Sequence, residues 1–378
     1  MARPRAAEAE LKELVRRFEC ARRPLVVVGG EEWTAESGQE LMRWATRHSI
    51  PVLADFRAYD AVPHDLEDGP EHGLEGTGAY VGSLGYGRGD HAARLLDEAD
   101  LTVFLGAPRR DVLSDGYTRG LDSETVLVLP GDAQGHSGRI DQFVSAHAPT
   151  FVLDLVTTSA SPDVNVAWFR AAREAQARFT TPAPTTSGNS GGDTYVDLTA
   201  VMAVLREELT PDAVITYGAG NHALWPARYL PHRSPASLVA PRNGAMGMGI
   251  PAAVAASLAF PGREVVSVAG DGCFLMNGQE LATAVGHGAV FVALVVDNGC
   301  YATIREHQEG AYPGRPSGTR LTNPDFAAWA RSYGAYGETV TSDRDFREAF
   351  LRARASGLPA VLHLIQDPAV RAPATTTV

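Results

Sequence analysis

The chain alternates short apolar runs with amphipathic stretches, and the alternation recurs in both halves. In the first half, apolar residues at helical spacing predict helices at 6–20, 34–48 and 91–98. Continuous apolar runs predict buried strands at 24–30, 51–54, 101–105 and 125–129. Strands that alternate with helices form a parallel sheet covered on both faces. The first half is therefore predicted to be a doubly wound α/β domain.

The second half repeats this pattern. Helices are predicted at 198–209, 244–260, 275–285, 324–333 and 343–355, and strands at 213–217, 265–268, 289–296 and 359–365. Between the halves, a helical piece at 164–178 precedes a segment rich in Pro, Ser, Thr and Gly, which cannot bury enough apolar surface to fold by itself. We expect a domain over 1–156, a linker over 157–193, a second domain over 194–367 and a flexible tail over 368–378. The predicted fold class is α/β, with two doubly wound parallel-sheet domains.

Composition narrows the class of partner. The 378 residues carry a net charge of −12, and no run of Lys or Arg marks a phosphate-binding stripe, so we expect no nucleic-acid partner. Cys20, Cys273 and Cys300 are scattered without metal-binding spacing, which fits a reducing compartment. The first residues lack the apolar core of a signal peptide, and no apolar run reaches the length of a membrane helix. We expect a cytoplasmic protein without a membrane partner.

Candidate chemistry concentrates in residues 265–298. A β-branched run ends at the Gly-Asp-Gly sequence around Asp271, a helical pattern follows, and a second apolar run ends at Asp297 and Asn298. Residues at the carboxyl ends of parallel strands meet at one edge of the sheet, where ligands bind. The glycines allow a diphosphate to approach the backbone, and Asp271 and Asn298 offer the hard oxygens that Mg²⁺ prefers. The alternative is an ordinary glycine-rich turn in a nucleotide-binding fold.

Gly-Asp-Gly at 270–272, followed after residues 273–296 by Asp297 and Asn298, resembles the thiamine diphosphate (ThDP) and magnesium motif of ThDP-dependent enzymes. Together with segments 218–222 and 244–251, it is similar to the central and diphosphate-binding domains of the acetolactate synthase-like ThDP enzymes, which include benzoylformate and pyruvate decarboxylases. The similarity covers most of the chain. It implies ThDP and Mg²⁺ as cofactors and a 2-oxo acid as substrate. That acid would lose carbon dioxide and leave as an aldehyde or be joined to a second carbonyl.

The resemblance also implies roles for single residues. Asp271, Asn298 and the backbone carbonyl of Cys300 match the magnesium ligands. Gly244 and Met246 match the catalytic segment whose bulky apolar residue bends the cofactor. The remaining matches to cofactor-binding positions are Gly220, Asn221, His222, Gly270, Gly272, Cys273 and Tyr301.

Without the resemblance, Met246 and Met248 could equally be core residues, and His222 an ordinary loop histidine. The side chains of Cys273 and Cys300 are expected to be bystanders, because no helper base is visible beside either.

Two substitutions depart from the family pattern. Asp297 stands where Asn is frequent, and we expect it to change the local charge and leave the metal site intact. His307 stands where acetolactate synthases carry a Trp, so the acetolactate reaction itself is not implied. Tyr301, Ile304 and His307 are candidates to line the substrate pocket, although His307 fits a solvated helix face nearly as well.

A third departure concerns the aminopyrimidine end of the cofactor. Enzymes of this group hold that end in another domain, whose glutamate activates the cofactor, and no acid in residues 1–160 has a matching context. We therefore expect the large subunit of a split enzyme, inactive alone, which pairs with a separate pyrimidine-binding subunit and self-associates into a heterotetramer.

Two other functions stay open. The chain could be a non-catalytic ThDP-fold protein that regulates or scaffolds a homologue, although intact Asp271, Asn298 and Met246 argue against this. It could also be an oxidoreductase that binds a flavin or another nucleotide at Gly29 and Gly30 of the first domain. That turn lacks the three-glycine fingerprint, so a structural turn is the favoured interpretation.

Overall fold

The computed structural model describes residues 3–65, 78–159, 162–182 and 195–373. Contacts divide the chain into two compact units, Met1–Thr180 with Pro231–Ala236, and Thr181–Leu230 with Ser237–Val378. None of the helices in the described ranges combines the length and the apolar composition that a bilayer-spanning helix needs. Most of the predicted Pro, Ser, Thr and Gly segment lies outside the described residues.

The first unit is a parallel sheet with helices on both faces. Its described strands are β1 (Pro24–Val28), β2 (Val52–Asp55), β3 (Tyr80–Leu84), β4 (Leu101–Leu105), β5 (Glu124–Leu129) and β6 (Gln142–Ser145). They are arranged in the order β3-β2-β1-β4-β5-β6, and every neighbouring pair is parallel. The helices are α1 (Glu8–Cys20), α2 (Ala35–Arg47), α3 (Asp90–Glu98), α4 (Ala148–Leu155) and α5 (Val166–Thr180). Side chains of the central strands fill both core layers of this unit.

Helix α5 belongs to the first unit, whose bounds therefore extend beyond the predicted domain 1–156 into the predicted linker. Phe169 and Ala172 of α5 are buried, and Gln176 Oε1 accepts a hydrogen bond from His91 Nε2 of α3 at 2.9 Å. Packing against the sheet thus orders a helix that the sequence places next to a segment of linker composition.

The short segment Pro231–Ala236 also belongs to the first unit. The backbone N–H of His64 donates to the carbonyl of His232 at 2.8 Å, and the His232 N–H donates to His64 Nδ1 at 3.3 Å. The His64 ring stacks on Tyr80, with centroids 3.8 Å apart. Backbone pairing and ring stacking together hold this segment in place.

The second unit is also a parallel sheet covered by helices. Its strands are β7 (Val214–Tyr217), β8 (Leu238–Val239), β9 (Val265–Gly270), β10 (Val292–Asp297), β11 (Tyr336–Val340) and β12 (Ala360–Ile365), in the order β11-β12-β10-β9-β7-β8. The helices are α6 (Leu198–Glu208), α7 (Leu224–Tyr229), α8 (Gly249–Ala259), α9 (Asp271–Asn277), α10 (Leu281–His287), α11 (Ala302–Ala311), α12 (Phe326–Ser332) and α13 (Asp343–Ala355). From β7 the chain adds β8 on one side and then β9 on the other, so the strand order reverses between β7 and β9. This is the switch point at which such sheets bind ligands.

The central strands begin and end within about three residues of their predicted bounds. The edge strands were not predicted. The strands β3, β6, β8 and β11 form the four sheet edges. Their sequences contain Gly, Ser or other polar residues, or are only two residues long, so they lack the continuous apolar run that marks a central strand.

Two predicted helix starts are wrong. The helix predicted over 244–260 begins at Gly249, because residues 244–248 form a loop in which Gly244 and Gly247 have positive φ angles. The helix predicted over 275–285 begins at Asp271, directly after β9, because Asp271 and Gly272 already belong to the first helical turn. It is also interrupted at 278–280, which separates α9 from α10. Of the predicted tail over 368–378, the structure describes residues 368–373, and Arg371 in this part pairs with Glu309 of α11 at 2.6 Å.

Candidate functional site

A cavity of roughly 250 Å³ lies at the carboxyl edge of the second sheet. Loops after β7, β8, β9, β10 and β12 converge there, as the switch point predicts. The cavity brings together the predicted cofactor and metal residues, namely Gly220, Asn221, His222, Gly244, Met246, Gly270, Asp271, Gly272, Cys273, Asn298, Cys300 and Tyr301. Ile304 lines it as well, whereas His307 is an exposed residue of α11 that does not.

Asp271 is the one acidic residue among the described residues that line the cavity. Its Oδ1 accepts the Gly272 N–H at 2.7 Å, and its Oδ2 accepts Asn323 Nδ2 at 2.7 Å. Burial raises the pKa of Asp271 to about 6, although these two hydrogen bonds act in the opposite direction. A buried carboxylate whose ionised form is destabilised in this way would be stabilised by a cation.

Asp297 lies beside Asp271 and is held by three groups. Its Oδ1 accepts Asn323 Nδ2 at 2.7 Å and the Gly299 N–H at 3.0 Å, and its Oδ2 contacts His363 Nε2 at 2.8 Å. Burial would raise the pKa of Asp297, but the hydrogen bonds from His363, Asn323 and Gly299 together lower it. The side chain of Asp297 is therefore directed to its own structural partners.

Asn298 and Cys300 form a tight turn after β10. Asn298 Oδ1 accepts the Cys300 N–H at 3.1 Å, and the Cys300 carbonyl accepts the Ala302 N–H at 2.9 Å. Within the described ranges, no group of three or more His, Cys, Asp or Glu side chains could hold a metal. Any metal here would depend on carboxylate, amide and carbonyl oxygens, a donor set that suits Mg²⁺ and not zinc.

His222 offers a buried nitrogen to the cavity. Its side chain is 7% exposed, and its Nε2 has no hydrogen-bond partner among the residues that the structure describes. Burial lowers its pKa to about 4, so the ring is neutral at neutral pH. A Cβ atom at Gly220 or Gly270 would lie within 3.0 Å of the ring, so both positions require glycine. An orphaned ring nitrogen of this kind fits an anionic ligand that accepts a hydrogen bond.

Asn221 connects the loop after β7 to α11. Its backbone N–H donates to Thr303 Oγ1 at 3.0 Å, and Thr303 Oγ1 donates to Asn221 Oδ1 at 2.6 Å. Asn221 Nδ2 donates to Glu306 Oε2 at 2.9 Å. Since α11 has no fully buried residue, these polar contacts contribute to its attachment.

Met246 is not a core residue, because 37% of its surface is exposed while it lines the cavity. The neighbouring Gly247 is held by two side chains of α9, since its N–H donates to Cys273 Sγ and its carbonyl accepts Asn277 Nδ2, each at 3.1 Å. Gly247 has a φ of +87°, and a Cβ there would lie 2.7 Å from Asn277 Nδ2. The Cys273 side chain, expected to be a bystander, thus positions the loop that carries Met246.

Tyr301 packs over the first turn of α9. A Cβ atom at Gly272 would lie 2.4 Å from Tyr301 Cε1, so the ring occupies the space that a side chain would need. The Gly-Asp-Gly sequence therefore serves packing as well as ligand access.

The corresponding switch point of the first unit is closed by protein atoms. A Cβ atom at Gly106 would lie 2.3 Å from the Gly29 carbonyl oxygen, and the buried Trp33 donates its indole N–H to that same oxygen at 2.8 Å. The turns after β1 and β4 therefore touch, and this geometry gives no support to a nucleotide bound between them.

Several residues of the site were not predicted. Asn323, Thr303, Glu306, Gln366 and Arg371 come from segments without a recognisable motif. Only Thr303 and Glu306 carried a signal, since their spacing of three places both on one face of a helix.

Comparison with known proteins identifies the two units. Residues 11–134 match the model of the thiamine pyrophosphate enzyme central domain, and residues 218–364 match that of the C-terminal TPP binding domain. A structure of benzoylformate decarboxylase from Polynucleobacter necessarius has a similar fold, with a TM-score of 0.75 and 19% identity, over 98% of this chain and 67% of that one.

Curated relatives show the same similarity. The acetolactate synthase large subunit of Corynebacterium glutamicum is 29% identical over 360 residues, which are 91% of this chain and 54% of the relative. The acetolactate synthase isozyme 2 large subunit of Escherichia coli is 26% identical over 95% of this chain and 62% of the relative. The chain therefore spans somewhat more than half the length of these relatives. It belongs to the thiamine pyrophosphate enzyme family, of which it carries the central domain and the C-terminal, TPP-binding domain.

Proposed function

We propose that the chain binds ThDP through Mg²⁺ in the cavity of the second unit, as the diphosphate-binding subunit of a 2-oxo acid decarboxylase or carboligase. The observation that carries the proposal is the convergence of Asp271, Asn298, His222 and Met246 on one cavity of a TPP-binding domain.

The polar groups of the cavity fit the metal and the diphosphate of such a complex. Asp271, Asn298 and the Cys300 carbonyl would hold Mg²⁺, and the metal would offset the cost of burying the Asp271 carboxylate. The orphaned His222 Nε2 would donate to a diphosphate oxygen. Gly220, Asn221, Gly270, Gly272 and Cys273 would line the path of the diphosphate.

The opposite wall would receive the reacting part of the cofactor. Bound ThDP supplies the electron sink on which a 2-oxo acid loses carbon dioxide. The exposed Met246 side chain, with Gly244 beside it, would support the middle of the cofactor. Tyr301 and Ile304 would form apolar walls around the substrate, and these walls would exclude water.

A separate polypeptide would hold the aminopyrimidine end and carry the activating glutamate. Two findings support this part of the proposal. The two sheets correspond to the central and the TPP-binding domains, and several relatives are named large subunits, which implies a partner.

The matched pair Asp271→Asn and Asp297→Asn tests the metal assignment. We expect Asp271→Asn to weaken Mg²⁺-dependent ThDP binding at least about 10-fold, because it removes the one carboxylate among the described residues that line the cavity. Asp297→Asn should retain binding, since that side chain is engaged by Asn323, Gly299 and His363. Isothermal titration calorimetry of ThDP, with MgCl₂ and with EDTA, measures both.

Equal affinities for wild type and Asp271→Asn would remove the metal site from the proposal. If the wild type folded but bound no ThDP at all, the non-catalytic alternative would be supported instead.

A further inference from the structure

The segment after β12 contributes to the cavity, although it lies beyond residue 364, where the match to the TPP-binding domain ends. Gln366, Val370 and Arg371 all line the cavity. Family resemblance therefore assigns no role to this part of the wall.

Gln366 is a buried polar residue with spare hydrogen-bonding capacity. Its backbone N–H extends the sheet by donating to the Asp297 carbonyl at 2.8 Å, which fixes the residue at the end of β12. The side chain is 4% exposed, and its Nε2 has no hydrogen-bond partner in the described part of the chain. Burying an unpaired amide donor is costly, so such a group indicates a ligand that accepts from it.

Arg371 is the only Lys or Arg among the described residues that line the cavity. Its Nη1 contacts Glu309 Oε2 at 2.6 Å, and Arg305 Nε donates to the other oxygen of Glu309 at 2.8 Å. One carboxylate thus serves two guanidinium groups, which leaves this cluster with an excess positive charge. Glu309 fixes the position of Arg371 without neutralising the cluster.

We propose that Gln366 and Arg371 form a binding site for an anionic oxygen group of the cavity's occupant, and so help to determine which ligands the site accepts. The proposed function supplies two sources of this chemistry, the carboxylate of a 2-oxo acid and the diphosphate of the cofactor. The Arg371 guanidinium and the Gln366 amide suit both the carboxylate and the diphosphate, because both of these anions present paired oxygen acceptors.

The test compares Arg371→Gln and Gln366→Met with the matched control Arg305→Gln, which removes a guanidinium from the same cluster but not from the cavity wall. One arm titrates the full chain with inorganic pyrophosphate in MgCl₂. In the other arm the chain is first saturated with magnesium pyrophosphate. It is then titrated with pyruvate, 2-oxobutanoate and phenylglyoxylate, and methyl pyruvate serves as the uncharged comparison. Thermal melts establish that each variant is folded. A further variant, Arg371→Lys, keeps the positive charge but removes the planar guanidinium group with its paired donors.

We expect Arg371→Gln to weaken anion binding about 10-fold or more in one arm, with a smaller loss for Gln366→Met and none for Arg305→Gln. A loss confined to the pyrophosphate arm assigns the site to the cofactor, and a loss confined to the oxo acids assigns it to the substrate. If neither arm depends on Arg371, or if Arg305→Gln has the same effect, the inference is wrong. The Asp271→Asn experiment is independent of this result, so failure here leaves the proposed function in place.

Discussion

His222 and His232 are neutral in the folded chain because burial lowers the pKa of each to about 4. An unfolded chain exposes both rings to water, where the histidine pKa is about 6.5. Below that pH the unfolded state therefore takes up protons that the folded state does not. Folding stability must fall as the pH drops from about 6.5 towards 4, and it is fully retained above that range.

A single substitution isolates the contribution of His232, which does not line the cavity. We expect His232→Asn to reduce the acid-induced loss of stability by about 2 kcal/mol between pH 6.5 and 5, since a shift of one pKa unit corresponds to about 1.4 kcal/mol. Urea denaturation at several pH values measures this, with the exposed His307→Gln as control. Parallel pH profiles for wild type and His232→Asn would contradict the assignment.

Several residues of the site were predicted and others could not be. Gly-Asp-Gly around Asp271 and the Asn298 turn are local in sequence, and local spacing determines where they lie at the ends of adjacent strands. Asn323, which bridges Asp271 and Asp297, comes from a distant segment. Its role depends on a tertiary contact that no periodicity encodes.

Helix α9 fixes the geometry of the site because it links Asp271, the proposed metal ligand, to the Met246 loop. Asp271 is its first residue, and Cys273 and Asn277 stand four residues apart on one face, from which they hold both polar groups of Gly247. A single rigid turn of helix thereby sets the separation between the proposed metal and the apolar support.

Removal of this contact should loosen the loop without unfolding the domain. We expect Asn277→Ala to increase hydrogen–deuterium exchange in a peptide covering 241–250, while exchange in β10 stays unchanged, because the Gly247 carbonyl loses its donor. Mass spectrometry of the cofactor-free chain measures this. Thr283→Ala, on α10, is the control. Unchanged exchange in the loop would show that α9 does not hold it.

The elements that the sequence predicted well are those with the strongest patterning. Central strands are buried on both faces and appear as unbroken apolar runs, so their positions could be found. Edge strands such as β11 and β3 form only because they pair with a neighbouring strand, and their own sequences lack a continuous apolar run. The segment near Arg371 is likewise held by the ion pair between Arg371 and Glu309. The Pro, Ala and Thr composition of the segment does not predict this tertiary contact.

The two units share one architecture but differ at the switch point. In the first, Gly29 and Gly106 touch, and Trp33 donates its indole N–H to the Gly29 carbonyl. In the second, glycines at the corresponding edge border a cavity. The same fold therefore yields a closed edge in one unit and a ligand site in the other, which places the proposed chemistry in residues 218–371.

Because the proposal assigns the two ends of the cofactor to two polypeptides, it predicts that cofactor binding and substrate turnover can be separated. The isolated chain should bind magnesium pyrophosphate through the proposed diphosphate site but should not consume a 2-oxo acid, because the proposal assigns the activating glutamate to a separate polypeptide. Addition of a pyrimidine-binding polypeptide should restore turnover, measured as carbon dioxide release. Turnover by the isolated chain would refute the requirement for a partner.

The position of Arg371 on the cavity wall has a practical consequence for anyone who shortens this protein. Arg371 lines the cavity and pairs with Glu309 of α11, so a truncation directly after β12 would remove part of the cavity wall together with an ion pair of α11. A shortened variant for the titrations above should therefore retain residues 366–373.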